Sequence, residues 1–301
     1  MLVLIHHIAG VTDGGVLNKM NFPSVSIFFL LAGYGLMCGY LYKENYIKKI
    51  LQVKIPTIIV WCVFSAMCAI IFNLLIHEPI SVRDVLLCFT GNRILNWFFA
   101  SLILHYLMFA ISAKLAKQNA NRVCILTFVF ICVYIVVFRV LVKRTSWYAS
   151  SLAFPTGVFI AYHYTVNKDG FSGICRRKGK TILLVLFLLS FSGVFLSEMT
   201  LKARLIRLFC SLISAEVFSL WGLWICCDKK SKGILSWCGK NSAQILFMQN
   251  ISLYALRNRL VWIESDFLFS ICVILIEFLL VFITEPVYKK LKNMCERNAI
   301  I

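Results

Sequence analysis

Nine stretches of about 20 residues run through this chain with almost unbroken apolar character. They lie near residues 23–42, 55–76, 94–115, 123–142, 147–164, 181–198, 205–227, 235–256 and 266–287. A run of that length is what a helix needs to cross a hydrocarbon core about 30 Å thick. In lipid every backbone polar group must be satisfied inside the protein, so such runs fold as helices packed side by side. A soluble alternative fails on volume. Of 301 residues, 60% are hydrophobic, and one globular core saturates well before it could hide so many apolar segments. The sequence therefore reads as all-α, a polytopic transmembrane helix bundle forming a single integral membrane domain over residues 1–301.

The formal net charge of +18 would, in a soluble protein, point to a phosphate backbone as partner. Its distribution points instead to the bilayer. The cations sit in short clusters between the apolar spans, where cytoplasmic loops hold Lys and Arg against anionic headgroups. Nucleic acid is not expected as a partner. Taking alternate loops, one set holds 20 cations, among them Lys43, Lys48, Lys49, Lys54, Lys289 and Lys290, and the other holds 11. The positive-inside rule then places the C-terminus in the cytoplasm and, for an even number of spans, the N-terminus as well.

The even count depends on the first segment, MLVLIHHIAGV, whose eleven residues precede the turn Thr12-Asp13-Gly14-Gly15. As a helix it measures about 16 Å, too short to cross. It has neither the basic leader nor the small-residue cleavage site of a signal peptide. The expectation is that Met1 is an internal start and that the first of about ten helices is truncated.

That short segment carries His6 and His7. An imidazole at membrane depth costs a few kcal/mol and usually faces the bundle interior or a wet cavity. Adjacent positions on a helix are about 100° apart, so one ring can point at a given cavity while the other lines its wall or fixes a tautomer. The plainer alternative is that both hydrogen-bond into the bundle without chemistry. His105, surrounded by apolar residues with no carboxylate at helical spacing, reads as readily as a packed histidine, and His163 as an interfacial one. Glu216 and Glu277 lie near mid-span, with Arg139 and Arg207 as candidate partners, in a structural ion pair or lining a substrate cavity.

Thirteen cysteines, most of them inside apolar runs, show no zinc-ligand spacing and no disulfide framework, and no metal site is expected. Gly33, Gly35 and Gly39 share one helix and permit close helix approach or a kink at Tyr34. Pro155 and Gly157 are expected to break their helix and free backbone groups to line a cavity.

Taken in order, several stretches resemble acyltransferase family 3, bacterial integral membrane O-acyltransferases acting on glycans. They are a helix with LIHH, then SIFFLLAGYGL, a basic turn ending in proline (YIKKILQVKIP), NWFFASLILHY, SLAFPTGVFIA and SWCGKNSAQILFMQN. The resemblance covers nearly the whole chain. It implies transfer of an acyl group, commonly acetyl, from cytoplasmic acetyl-CoA or another acyl-CoA to a hydroxyl of a glycan or glycolipid acceptor. The family's first-helix histidine maps onto His6, with His7 adjacent. A neutral imidazole suits that chemistry, taking the hydroxyl proton as the oxygen attacks a thioester carbonyl or relaying the acyl group itself. Lys48, Lys49 and Lys54 fall where the family meets its anionic coenzyme, although a lipid headgroup would suit the same lysines. Ala32 stands where the family usually carries serine, and the family's arginine about three turns before the histidine would lie upstream of Met1.

The sequence thus leads to a membrane O-acyltransferase, expected to be an O-acetyltransferase, acting on a cell-envelope polysaccharide, exopolysaccharide or glycolipid. It would sit in a bacterial cytoplasmic membrane. The alternatives are a transporter or flippase of lipid-linked sugars, and a catalytically inactive, truncated membrane subunit. Oligomeric state is not legible.

Overall fold

The computed structural model describes residues 2–12, 21–77, 81, 96–142, 147–166, 241–258 and 260–298, with Trp237 and scattered helical positions between 181 and 220. The spans expected at 181–198 and 205–227 lie for the most part outside these residues, as does Arg207. The named elements are α1 (Leu2–Val11), α2 (Asn21–Tyr42), α3 (Tyr46–Lys49), a π-helical turn (Ile50–Lys54), α4 (Ile55–Leu75), α5 (Asn96–Leu115), α6 (Ala120–Leu141), α7 (Ala153–Val166), α8 (Ser242–Ala255) and α9 (Asp266–Asn298). Among the described residues, β pairing is limited to an isolated bridge between Arg257 and Trp262. Five stretches are long and apolar enough to cross a membrane: Val25–Tyr42, Tyr46–Leu75, Trp97–Leu115, Ala120–Leu141 and Asp266–Cys295.

The chain gathers into two compact units that interleave in sequence. The first takes residues 1–20, 49–103 and 232–301 and contains α1, the π turn, α4, the start of α5, α8 and α9. Its centre is α8, which is buried continuously from Gln244 to Gln249. Leu253 packs with Leu4 and Ile8 of α1 and with Phe269 and Val273 of α9. Ile245 packs with Val281. Against α4, the Ser65 hydroxyl donates to the Phe247 carbonyl at 2.8 Å, and Trp61 touches both Phe247 and Tyr288. Phe99 stacks on Phe247 with ring centroids 3.9 Å apart. In lipid such interdigitation and hydrogen bonding hold helices together, because the surrounding hydrocarbon is as apolar as leucine.

These contacts set the register of the unit. As α8 ascends from Ile245 to Leu253, α9 descends from Val281 to Val273, so the two helices are antiparallel. Tyr288 beside Trp61 makes α4 antiparallel to α9 as well. Lys49, Lys54 and the C-terminal turns of α9 therefore share one end of the unit, and Val11, Arg257 and Asp266 share the other. With 33 residues α9 is about 50 Å long, more than a bilayer core. Its last turns leave the apolar pattern and carry Lys289, paired with Glu285 at 2.7 Å one turn back, then Lys290 and Lys292.

The start of α4 holds a feature that an apolar pattern does not reveal. Pro56 sits in the first turn of α4 and cannot donate to the Gln52 carbonyl, which its ring would also crowd. The wider turn at Ile50–Lys54, where the Ile55 amide reaches back to the Ile50 carbonyl, accommodates that defect and keeps the chain helical from Tyr46 to Leu75.

The second unit takes residues 21–48 and 104–231. Here α2 and α7 come together backbone to backbone. A Cβ on Gly33 would collide with the Phe154 carbonyl oxygen, and one on Gly157 would meet the Leu30 carbonyl carbon at 2.8 Å and the Tyr34 nitrogen at 2.9 Å. The Tyr46 ring covers Gly39. Close approach, the first of the two uses expected for the α2 glycines, is thus what Gly33 and Gly39 serve.

The expectation for Pro155 is corrected. It lies in the first turn of α7, where a missing N–H costs nothing, so it starts the helix and does not break it. The residues leading in are wound tightly, with the Ala153 amide bonded to the Ser150 carbonyl and the Phe154 amide to that of Ser151.

Candidate functional site

The sequence candidates on α1 sit side by side in the first unit. The His6 and His7 ring centroids are 4.9 Å apart, tilted by 55°. His6 is buried and His7 half-buried. Helical geometry separates their surroundings from the packing face of α1. Leu4 and Ile8 face α8 and α9, whereas His6, two residues from each, projects from roughly the opposite side. An imidazole on that side is held off the Leu253–Phe269 cluster, yet it remains out of solvent. Two adjoining imidazoles, one buried and one reachable, can pass a proton to or from a hydroxyl brought against them.

Lys48, Lys49 and Lys54 occupy the helical segment around the π turn. Lys48 and Lys49 are exposed and Lys54 is half-buried. Following the register of the first unit, the histidines lie near the level of Phe269 and Val273. Lys49 and Lys54 lie at the other end, about 30 Å away along the helix axes. The two groups therefore do not converge on one point.

A second buried polar group lies between α8 and α9. Ser252 Oγ is 2.7 Å from Glu277 Oε2 and 2.9 Å from the Gln249 carbonyl oxygen, so its single proton is shared between two acceptors. Glu277 is 2% exposed, and Ser252 and Gln249 are as deeply buried. Among the described residues, Glu277 Oε1 and the side-chain amide of Gln249 have no hydrogen-bond partner. Buried polar atoms in that condition retain unused capacity for a hydroxyl, an amide or water. Of the two arginines considered as partners for Glu277, Arg139 on α6 is exposed and Arg207 lies outside the described residues, while Ser252 hydrogen-bonds the carboxyl.

The remaining histidine candidates, one packed and one exposed, belong to the second unit. His105 is fully buried, stacked on Phe29 with centroids 4.7 Å apart and edge-on to Tyr134 and Phe154. His163 is exposed near the end of α7, against Phe159 and Tyr162. Among the described residues no cluster of His, Cys, Asp and Glu could hold a metal ion.

The sequence reading missed Arg257, which it counted only as a loop cation. Its guanidinium ties three elements together at the histidine end of the first unit. Nη1 donates to the Val11 carbonyl at 2.9 Å, Nη2 is paired with Asp266, and Nε donates to the Ile263 carbonyl at 3.3 Å. The cation also lies over the Phe269 ring, 4.2 Å from its centroid.

Compared with known proteins, the chain matches no family model, no curated protein and no solved structure.

Proposed function

We propose that this protein is a membrane O-acyltransferase, moving an acyl group from acyl-CoA to a hydroxyl of a cell-envelope glycan or glycolipid, with His6 and His7 as the working imidazoles. The observation that carries the reading is the pair itself: two touching imidazoles on an otherwise apolar helix, with His6 buried on the side of α1 opposite Leu4 and Ile8. The resemblance of LIHH, SIFFLLAGYGL and the basic turn to acyltransferase family 3 supports it, as does the bundle of about ten helices implied by the apolar pattern. The donor's anionic end would rest on Lys49 and Lys54. In this reading the cationic turns face the cytoplasm of a bacterial cell.

The chemistry required of the protein is modest. A neutral imidazole accepts the acceptor's hydroxyl proton while the oxygen adds to the thioester carbonyl. Collapse of the tetrahedral adduct expels the thiolate, which takes up that proton, so the transfer is proton-neutral overall.

A second reading, a transporter or flippase of lipid-linked sugars, draws on the Glu277, Ser252 and Gln249 group, since a buried carboxyl within a membrane helix often marks a transport path. Mass spectrometry of surface glycans separates the two. Cells expressing the native chain should show an ester mass increment that is lost with His6→Ala, His7→Ala. A glycan whose export or abundance changes without any ester would instead establish transport.

A further inference from the structure

Where the two histidines stand depends on how α1 is held. Leu4 and Ile8 of α1 pack against α8 and α9, and Val3, His6 and Ala9 are buried as well. A turn of α1 by a fraction of a residue would move both imidazoles. Its C-terminal end, however, is gripped. The Val11 carbonyl is one of the four that a helix leaves without an internal donor, and it lies at the negative end of the helix dipole. Arg257 supplies both the donor and the charge.

We propose that Arg257 is a positioning residue for the His6–His7 pair, acting through α1, with Asp266 as the anion that orients it. The proposal rests on the reading of these histidines as the working groups. Three features support the assignment. The Arg257 side chain is only 11% exposed and uses all three of its nitrogens on separate partners. Those partners come from the end of α1, the loop after α8 and the first turn of α9, so the guanidinium fixes α1 relative to the two helices against which it packs. The Phe269 ring lies beneath the guanidinium and also belongs to the Leu4–Ile8 cluster, so the charged grip and the apolar face share one side chain. The loop is itself braced, because the Asn258 side chain accepts from the Leu260 and Val261 amides at 2.8 and 3.0 Å and donates back to Tyr254 at 2.8 Å. Lysine could keep the charge but not the planar fork that spreads five N–H donors over three nitrogens.

The test is chemical labelling of the full chain in nanodiscs, read by mass spectrometry. Diethyl pyrocarbonate modification of His6 and His7 is followed against pH, together with hydrogen exchange across residues 2–11. In Arg257→Ala the modification rate should rise at least fivefold and its pH profile should shift, with faster exchange in α1 and unchanged exchange in α6. Arg257→Lys should keep the native profile at an intermediate rate, and Asp266→Asn should change both in the same direction as Arg257→Ala, by less. Should Arg257→Ala fail to fold, Asp266→Asn carries the test alone. Rates within twofold of native and an unmoved pH profile, in Arg257→Ala or failing that in Asp266→Asn, would overturn the proposal. Because the readout is histidine reactivity, a chain that transferred no acyl group would refute the function and still decide the role of Arg257.

Discussion

At Ser252 a single hydroxyl proton serves the Glu277 carboxyl within a bundle whose other contacts there are apolar. Removing it leaves both carboxyl oxygens without a partner among the described residues, and a buried acceptor stripped of its donor costs about 1–3 kcal/mol. Ser252→Ala should therefore lower the stability of the protein in nanodiscs by about that amount. Glu277→Gln, which keeps an acceptor oxygen for Ser252, should cost less. Equal stability of native and Ser252→Ala proteins in a thermal melt would show that the carboxyl finds its partner elsewhere. His105 makes the opposite case. Its stacking on Phe29 and edge contacts to Tyr134 and Phe154 are those of an aromatic core residue, so His105→Phe should leave any glycan ester yield unchanged, whereas His6→Ala, His7→Ala should abolish it. The role of His105 was half legible from its apolar surroundings. The partner of Glu277 was not, because Ser252 lies 25 residues away on another helix and an arginine was the chemically obvious choice.

Among the elements, α2 and α7 depend on missing side chains. Gly157 is a position where even a methyl group meets backbone from Leu30 and Tyr34, and backbone cannot rotate away as a side chain can. Gly157→Ala should push the helices apart and destabilise the second unit by about 1–3 kcal/mol, the usual cost of overpacking. Gly35 is the internal control. No described atom lies within 4 Å of where its Cβ would be, so Gly35→Ala should be neutral or gain up to about 1 kcal/mol from reduced backbone freedom. Comparable melting temperatures for the two variants would refute the close approach. That glycines would bring helices together was legible; which one stays open depends on a partner helix 120 residues further on. Helix extents followed the same division. Apolar length located α2, α5 and α6 within a few residues, but α9 runs eleven residues past the expected 287 because a helix leaving the hydrocarbon needs no apolar pattern to continue. The π turn escaped the reading for the complementary reason: a shift in backbone register at Pro56 leaves hydropathy untouched.

For the molecule as a whole, charge and register make one joint claim about orientation. The antiparallel packing of α4 and α9 puts Lys49, Lys54, Lys290 and Lys292 at one end of the first unit and the Arg257–Trp262 loop at the other. In that loop Leu260, Val261 and Trp262 are exposed beside Arg257, a mixture suited to the headgroup boundary, where indole rings settle. By the positive-inside rule, the cation count over the whole sequence leads to the expectation that the lysine end faces the cytoplasm. The expectation is therefore that a cysteine placed at Lys290, in a variant whose native cysteines have been replaced, reacts with a membrane-impermeant maleimide only after the cells are opened. A cysteine at Leu260 should react in intact cells. Labelling of both positions from the same side would break the crossing of α9 itself, whereas labelling with the sides exchanged would keep the fold and invert the protein. Inversion would also place the histidine end in the cytoplasm and the lysines outside, where no cytoplasmic coenzyme could reach them. The labelling pattern thus tests the acyl-CoA reading without any knowledge of the acceptor.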